Sequence, residues 1–292
     1  MTEIIYLNGQ LVPRSSARLS PFDHGFLYGY GLFETMRAYG GHVFRLEGHL
    51  ARLRRSARSL GLTHSALHVA DGEDSLEAAC IKTLQANNLS DARLRLTVSA
   101  GEGDMTPDPD TCSHPTVLVT ARILAMPSAQ KYESGFAAIM SSLRRNTRSP
   151  LSRVKSTCYM ENILARMEAR AARCDEAILL DERGYLAEGS TTNIFLVKGG
   201  ELITPSLESG VLAGITREAI LELARCKNTG IQERQVQPEE LFEADEAFLT
   251  NSILELMPLT RFESKPVGPG RPGLLTRELL AAYRELVNQA VQ

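Results

Sequence analysis

Short runs along this chain alternate apolar and polar residues, and between them lie stretches in which apolar residues recur at three and four. Strands mixed with helices are the expectation. Ile4 to Leu7 and Gln10 to Val12 flank Asn8-Gly9, a strong hairpin signal because both turn residues tolerate positive φ. Leu32 to Tyr39 predicts a second strand and Gly40-Gly41 a turn. His42 to Phe44 then leads into a helix with Leu46, Leu50, Leu53, Ala57 and Leu60 on one stripe, closed by Gly61. A further helix is expected over roughly Leu76 to Asn87. Arg93 to Ser99 and Thr116 to Ile123 alternate as antiparallel strands do. Between them Gly101 to His114, rich in Gly, Asp and Pro, is long enough for a functional loop.

The periodicity lapses at Ala125-Met126-Pro127-Ser128. Residues 123–130 are therefore the expected linker between an N-terminal domain over 1–122 and a C-terminal domain over 131–292. Beyond it the pattern predicts a strand over Phe136 to Ser141, a basic polar stretch to Pro150, and a helix from about Cys158 to Arg173. Glu176 to Leu180 and Leu186 to Val197 read as strands around Asp181-Glu182-Arg183-Gly184. Glu201 to Ile203 as a strand, a helix near Thr216 to Cys226, a strand near Ala247 to Thr250 and a terminal helix from about Leu274 complete an α/β chain.

Composition alters this picture little. The 292 residues are 43% hydrophobic and 23% charged, which supports a substantial core. A formal net charge of −3, with no long block of one sign, points to neither nucleic acid nor a membrane surface. Arg52, Arg54, Arg55 and Arg58 are the densest basic stretch and read as a solvated helix face. The five scattered cysteines contain no CxxC, so neither a disulfide framework nor a bound metal is expected. No signal-peptide pattern opens the chain and no apolar run reaches the roughly 18 residues of a membrane span, so a cytoplasmic setting is the expectation. HExxH, GxSxG, Walker A and EF-hand patterns are absent from the sequence. Gly268-Pro-Gly270-Arg-Pro-Gly273 spells GxGxxG, but it follows a polar loop and carries two prolines. It reads as a turn before the last helix.

Three segments carry candidate chemistry. Lys155 precedes a helix start. An amine that attacks an aldehyde must be neutral, and Arg153, Arg148 and the helix N-terminus offer a positive field to lower its pKa. Glu188 lies between Ala187 and Gly189 among apolar strand residues, where a carboxylate needs a cationic partner. Gly210-Val-Leu-Ala-Gly214-Ile215-Thr216-Arg217 opens a helix with glycines and a hydroxyl, the outline of a phosphate site.

Together these segments resemble a known family. Phe22 to Arg37, Phe44 to Leu53, Lys155-Ser-Thr-Cys-Tyr159-Met-Glu-Asn162, Glu188-Gly-Ser-Thr-Thr-Asn193 and Gly210 to Arg217 are similar, in order and separation, to the class IV aminotransferases. These are the fold-type IV pyridoxal-phosphate enzymes, and the resemblance runs from about Asn8 to Pro258. It implies a small α/β domain and a larger pseudo-barrel α/β domain with pyridoxal 5'-phosphate in the cleft between them, assembled as a homodimer. It implies a Schiff base on Lys155, a ring-nitrogen partner at Glu188, and a ring-hydroxyl partner at Tyr159. The phosphate would be held by Arg52 with Ile215, Thr216 and Ser252. Tyr28, Thr35, Arg37, Arg95 and Asn251 would line the substrate.

The reaction is the finer question. Thr35 stands where branched-chain aminotransferases usually carry glycine, and Asn251-Ser252 resembles the aminodeoxychorismate lyases. Both favour a lyase that splits 4-amino-4-deoxychorismate into p-aminobenzoate and pyruvate. Glu102-Gly103-Asp104 departs from this, because some lyases place an arginine there. Arg95 matches an arginine of branched-chain aminotransferases, whereas Arg93 replaces their usual tyrosine. The alternative is a transaminase of branched-chain or D-amino-acid type, moving an amino group between an amino acid and a 2-oxo acid.

Overall fold

The computed structural model describes residues 2–62 and 75–291. These fall into two units, the first drawn from Met1–Ala125, Val154–Cys158 and Ala290–Gln292, the second from Met126–Arg153 and Tyr159–Gln289. The short segment Val154–Cys158, left in the C-terminal domain by the sequence pattern, thus groups with N-terminal residues.

The described residues of the first unit form β1 (Ile4–Leu7), β2 (Gln10–Pro13), α1 (His24–Leu27), β3 (Gly31–Tyr39), β4 (His42–Val43), α2 (Leu46–Ser59), α3 (Leu76–Ala86), β5 (Ala92–Ser99) and β6 (Thr116–Ile123). Among them the strands pair in the order β2-β1-β6-β5-β3-β4, each pair antiparallel. Asn8 and Gly9 take φ of 47° and 92°, the primed turn their side chains allow. Alternation then separates two faces. Leu32, Met36, Leu94, Leu96, Val98 and Val119 pack against Leu50 and Leu53 of α2 and Leu76 and Leu84 of α3. The opposite face carries Phe33, Thr35 and Arg37 of β3 against Thr97, Arg95 and Arg93 of β5. A short stretch extends this sheet at the free edge of β3. Leu32 pairs with Ser156, the Phe33 N–H donates to the Lys155 carbonyl at 2.9 Å, and the Thr157 N–H donates to the Gly31 carbonyl at 2.9 Å. Lys155 consequently stands opposite Phe33.

In the second unit the described residues form α4 (Ala129–Ser134), β7 (Phe136–Arg145), α5 (Met160–Ala171), β8 (Glu176–Asp181), β9 (Leu186–Gly189), β10 (Asn193–Lys198), β11 (Glu201–Pro205), α6 (Ile215–Cys226), β12 (Ile231–Arg234), α7 (Glu240–Glu243), β13 (Glu246–Asn251), β14 (Glu255–Phe262), β15 (Lys265–Pro266) and α8 (Leu274–Val291). Their sheet runs β12-β11-β10-β13-β14-β7-β8-β9, with β15 on β14. β9 ends the sheet, yet only three residues join it to β10 near the other end, so the sheet curls into a half-barrel. Ile178, Ile194, Leu196, Leu249 and Leu259 fill its core.

Several sequence expectations shift. Ile123 closes β6 and Ala129 opens α4, so the unpaired part of the linker is shorter than 123–130. β7 continues past Ser141 to Arg145, which the run of polar and basic residues conceals. The single strand expected over Leu186 to Val197 is two, broken at Ser190–Thr192. β14 is obscured by Pro258, which lies in its interior. The GxGxxG turn does precede α8. Its glycines serve the backbone there, and Glu246 already occupies the helix N-terminus by accepting from the N–H groups of Leu275 and Thr276. No helix among the described residues is long and apolar enough to cross a membrane.

Candidate active site

In the first unit, α2 presents a polar seam beside its apolar stripe. His49 and Arg52, three residues apart, share one side of the helix and meet Glu34 of β3. Arg52 Nε donates to Glu34 Oε1 at 2.8 Å while Nη2 donates to Oε2, a two-point fork. His49 Nδ1 lies 2.8 Å from the same Oε2. All three are buried, Glu34 and His49 at 1% exposure and Arg52 at 5%. Burial alone would raise the Glu34 carboxyl. The Arg52 charge and the hydrogen bonds from His49 and Arg52 outweigh it and hold the group at about 2. Burial pushes the His49 imidazole below its usual range against the pull of Glu34, and the charges of Arg52 and Lys155 add to that push. Glu34 as a carboxylate only accepts, so the neutral imidazole carries its proton on Nδ1. The solvated-face reading thus holds for Arg55 and Arg58, which are exposed, and fails for Arg52.

On the other face of the same sheet, Lys155 Nζ lies 4.4 Å from the Phe33 ring centroid, and Arg95 Cζ lies 3.7 Å from that ring. Arg95 also donates from Nε to Thr97 Oγ1 at 3.2 Å. Thr35 is opposite Arg95 and Arg37 opposite Arg93. Arg37 stacks on Tyr39, 4.1 Å from its centroid. Tyr28, at the end of α1, donates its hydroxyl to the Met105 carbonyl and sets its ring edge against His24. The amine therefore lies, within this unit, against the aromatic face of Phe33, and its charge is felt at His49. Arg148 is exposed, and Arg153, also exposed, donates to the Thr147 carbonyl at 3.4 Å.

In the second unit, Glu188 is buried on β9 and accepts from Arg145, Leu212 and Asn193. Arg145 Nη2 reaches Oε1 at 2.9 Å, the Leu212 N–H reaches Oε2 at 3.0 Å, and Asn193 Nδ2 lies 3.3 Å from Oε2. Asn193 also donates to the Leu212 carbonyl at 2.9 Å, clamping the loop before α6 onto β10. Gly214 is required here, because a Cβ would come within 2.0 Å of Asn193 Oδ1. The intervening Ser190, Thr191 and Thr192 hydroxyls all donate to buried Glu176, which fixes the break between β9 and β10. The Glu-Gly-Ser-Thr-Thr-Asn run is therefore a scaffold that aims Glu188.

Ile215 and Thr216 form the first turn of α6, whose cap residue Gly214 brings no side-chain bond, so this end relies on its own N–H groups. Tyr159, half-buried, is the cap residue of α5. Asn251 and Ser252 lie at the β13–β14 turn. The Asn251 amide accepts from the N–H groups of Ile253 at 2.9 Å and Leu254 at 2.7 Å and donates to the Thr191 carbonyl at 3.1 Å. Its first task is to close that turn.

Sequence reasoning missed Phe33, Glu34, His49, Arg145 and Glu176. His49 and Arg52 at helical spacing beside an apolar stripe were the available signal for the first cluster. Arg145 carried none, since its strand was read as loop.

The chain matches the family model described as amino-transferase class IV over residues 31–262. It is 38% identical to a Methanocaldococcus jannaschii protein provisionally named a branched-chain-amino-acid aminotransferase, covering 97% of this chain and 96% of that one. It is 37% identical to the aminodeoxychorismate lyase of Bacillus subtilis, covering 99% and 96%. The branched-chain amino acid aminotransferase of Escherichia coli, a solved structure, superposes with a TM-score of 0.91 at 31% identity, covering 98% and 95%.

Proposed function

The chain belongs to the class IV aminotransferase family, whose members depend on pyridoxal phosphate, and from that premise we propose that it is a 4-amino-4-deoxychorismate lyase. Thr35 carries this reading. Its half-buried hydroxyl stands opposite Arg95 on the sheet face that Lys155 and Phe33 share. Hydroxyl and guanidinium donors suit a polar ring bearing carboxylates. An aliphatic side chain would leave those donors desolvated and unmet.

The residues fit the cofactor. Its phosphate is an anion, and Arg52 is a buried cation whose orientation the fork with Glu34 fixes through Nε and Nη2. The N–H groups at Ile215 and Thr216 are donors of the kind phosphate takes. A protonated ring nitrogen is a donor, and Glu188 is an acceptor whose partners Arg145, Asn193 and Leu212 all donate. Bound by these groups, pyridoxal phosphate supplies an aldehyde for the substrate amine and an electron-poor ring. Lys155 would hold that aldehyde and afterwards move the proton at the carbon bearing the amine. Phe33 shields Nζ and directs it along the sheet face. Glu34 and His49 keep Arg52 in place for the phosphate, with Ser252 as a further donor. Arg145 steadies Glu188, which would keep the ring nitrogen protonated. Tyr159 would donate to the ring hydroxyl. Tyr28, Arg37, Arg95 and Asn251 are assigned to the substrate.

The test is product formation. Purified holoenzyme with 4-amino-4-deoxychorismate is expected to release p-aminobenzoate and pyruvate, and absence of p-aminobenzoate sinks the lyase reading. The second reading, a transaminase, is favoured by the name of the Methanocaldococcus relative and by the Asn251 amide, whose work in its own turn lessens its weight for the lyase. Rapid conversion of the bound cofactor to its amino form by L-leucine, L-glutamate or D-alanine would mark it.

We assign the assembly as a homodimer. Met160, Ile163, Leu164 and Met167 form an apolar stripe on α5 that is 41–64% exposed. Antiparallel apposition of this helix with its copy sets Glu161 at one end against Arg170 at the other. Met167→Glu is expected to yield monomer in light scattering. An unchanged dimer removes this surface from the assignment.

A further inference from the structure

His24 is a buried titratable side chain that the proposed chemistry does not employ. It is 1% exposed, and it opens α1, a helix far too short to hold itself in water. α1 is instead pinned from outside. Asp23 caps it through the Gly25 N–H at 2.7 Å and accepts from the Ser99 hydroxyl at 2.8 Å and the Thr116 hydroxyl at 2.6 Å, at the ends of β5 and β6. His24 then ties the helix to the loop that follows β5. Its N–H donates to the Gly101 carbonyl at 2.9 Å, and its carbonyl accepts from the N–H groups of Tyr28 at 2.9 Å and Tyr30 at 3.1 Å. Its Nε2 lies 2.7 Å from the Asp104 carbonyl oxygen. A carbonyl only accepts, so the imidazole carries a proton on that nitrogen. Gly103 packs against it so closely that a Cβ would come within 2.7 Å of Nε2. The imidazole stands perpendicular to the Tyr28 ring with centroids 4.9 Å apart, and Tyr28 in turn donates its hydroxyl to the Met105 carbonyl. Residues 104–110 are all exposed. Among the described residues, the hydrogen bonds that tie them to the unit outside this loop come from His24 and Tyr28.

We propose that His24 is a positioning residue for the substrate: it locks the Asp104 carbonyl and the Tyr28 ring together, so that Tyr28 is presented in one orientation. The proposal deepens the assignment of Tyr28 to the substrate and rests on it. Tyr28 is 39% exposed. A ring that free loses rotamer freedom on meeting a ligand unless something holds it beforehand. Its hydroxyl grips the Met105 carbonyl, and the neighbouring Asp104 carbonyl sets the place of that grip through His24. Without the Nε2 donor the loop end of the contact is released, and ordering Tyr28 becomes part of substrate binding. The effect then falls on affinity rather than on the chemical step.

Steady-state kinetics of the holoenzyme test this, with 4-amino-4-deoxychorismate or, should no p-aminobenzoate form, with the amino acid that converts the cofactor. His24→Leu is expected to raise KM about 5- to 10-fold, the loss of one buried hydrogen bond, with kcat within about 2-fold and the visible band of the cofactor unchanged. His24→Gln, whose amide reaches the Nε2 position, should return KM to within about 2-fold of wild type, and His24→Asn, one methylene shorter, should not. Tyr28→Phe should itself raise KM, and in that background His24→Leu should add less than about 2-fold, because the hydroxyl it positions is gone. Should His24→Leu not fold, the Gln and Asn variants decide alone. Equal KM in those two variants, or a His24→Leu effect as large in the Tyr28→Phe background as in wild type, overturns the proposal and leaves Tyr28 with its substrate. A Tyr28→Phe protein of unchanged KM overturns the assignment of Tyr28, and the proposal with it.

Discussion

Glu34→Gln tests the buried cluster that holds Arg52. The substitution keeps the shape and one acceptor oxygen but removes the charge that Arg52 and His49 face at 2.8 Å. With charge centres about 4 Å apart and an effective dielectric near 20, the lost attraction is about 4 kcal/mol. Breaking a buried pair by removing one partner costs about 3–5 kcal/mol, since the surviving charge stays desolvated. The depressed carboxyl expresses the same attraction from the side of Glu34. A drop from 4.5 to about 2 corresponds to stabilisation of about 3 kcal/mol. The sign follows from the depressed value. This stabilisation is fully present above pH 4.5 and is lost as pH falls toward 2. Urea unfolding of the cofactor-free protein, followed by circular dichroism, should place Glu34→Gln about 3 kcal/mol below wild type at pH 7. The gap should narrow as pH is lowered below 4.5. Equal stability at pH 7, or a gap that ignores pH across that window, would refute the reasoning.

Other outcomes follow from the same geometry. Lys155→Ala should abolish the borohydride-sensitive visible band and leave the cofactor removable by dialysis, read by absorbance. Glu188→Gln should still bind cofactor while kcat falls roughly 10²–10³-fold, because Gln cannot balance a charged ring nitrogen; steady-state kinetics checks this. Asn251→Ala should cost about 1–2 kcal/mol through loss of its turn hydrogen bonds, and, because the same amide is assigned to the substrate, the ratio of lyase to transaminase rates should shift, measured on both substrates. Gly101→Ala should destabilise by more than about 1 kcal/mol, because Gly101 has φ +84° and a Cβ there would lie 1.7 Å from the His114 carbonyl oxygen. Thermal melts provide that comparison.

Much of the fold was legible in local order. The Asn8-Gly9 hairpin, the stripe of α2 and the alternation of β5 and β6 are near-neighbour properties, and the structure keeps them. The motif residues around Lys155 and Glu188 could likewise be read, because their spacing along the chain is fixed by the turns they occupy. Where a strand departs from simple alternation the reading failed. β7 bulges and turns basic before Arg145, and β14 carries Pro258. The sequence by itself determined the family, the pyridoxal-phosphate chemistry and the candidate lysine, since these rest on residue types in a set order. Only the tertiary structure decided which charges meet. Glu34 finds Arg52 across a strand and a helix, Arg145 finds Glu188 across two strands, and Arg93 faces Arg37 through register. Electrostatic attraction depends on distance and burial, and neither is a property of a position along the chain.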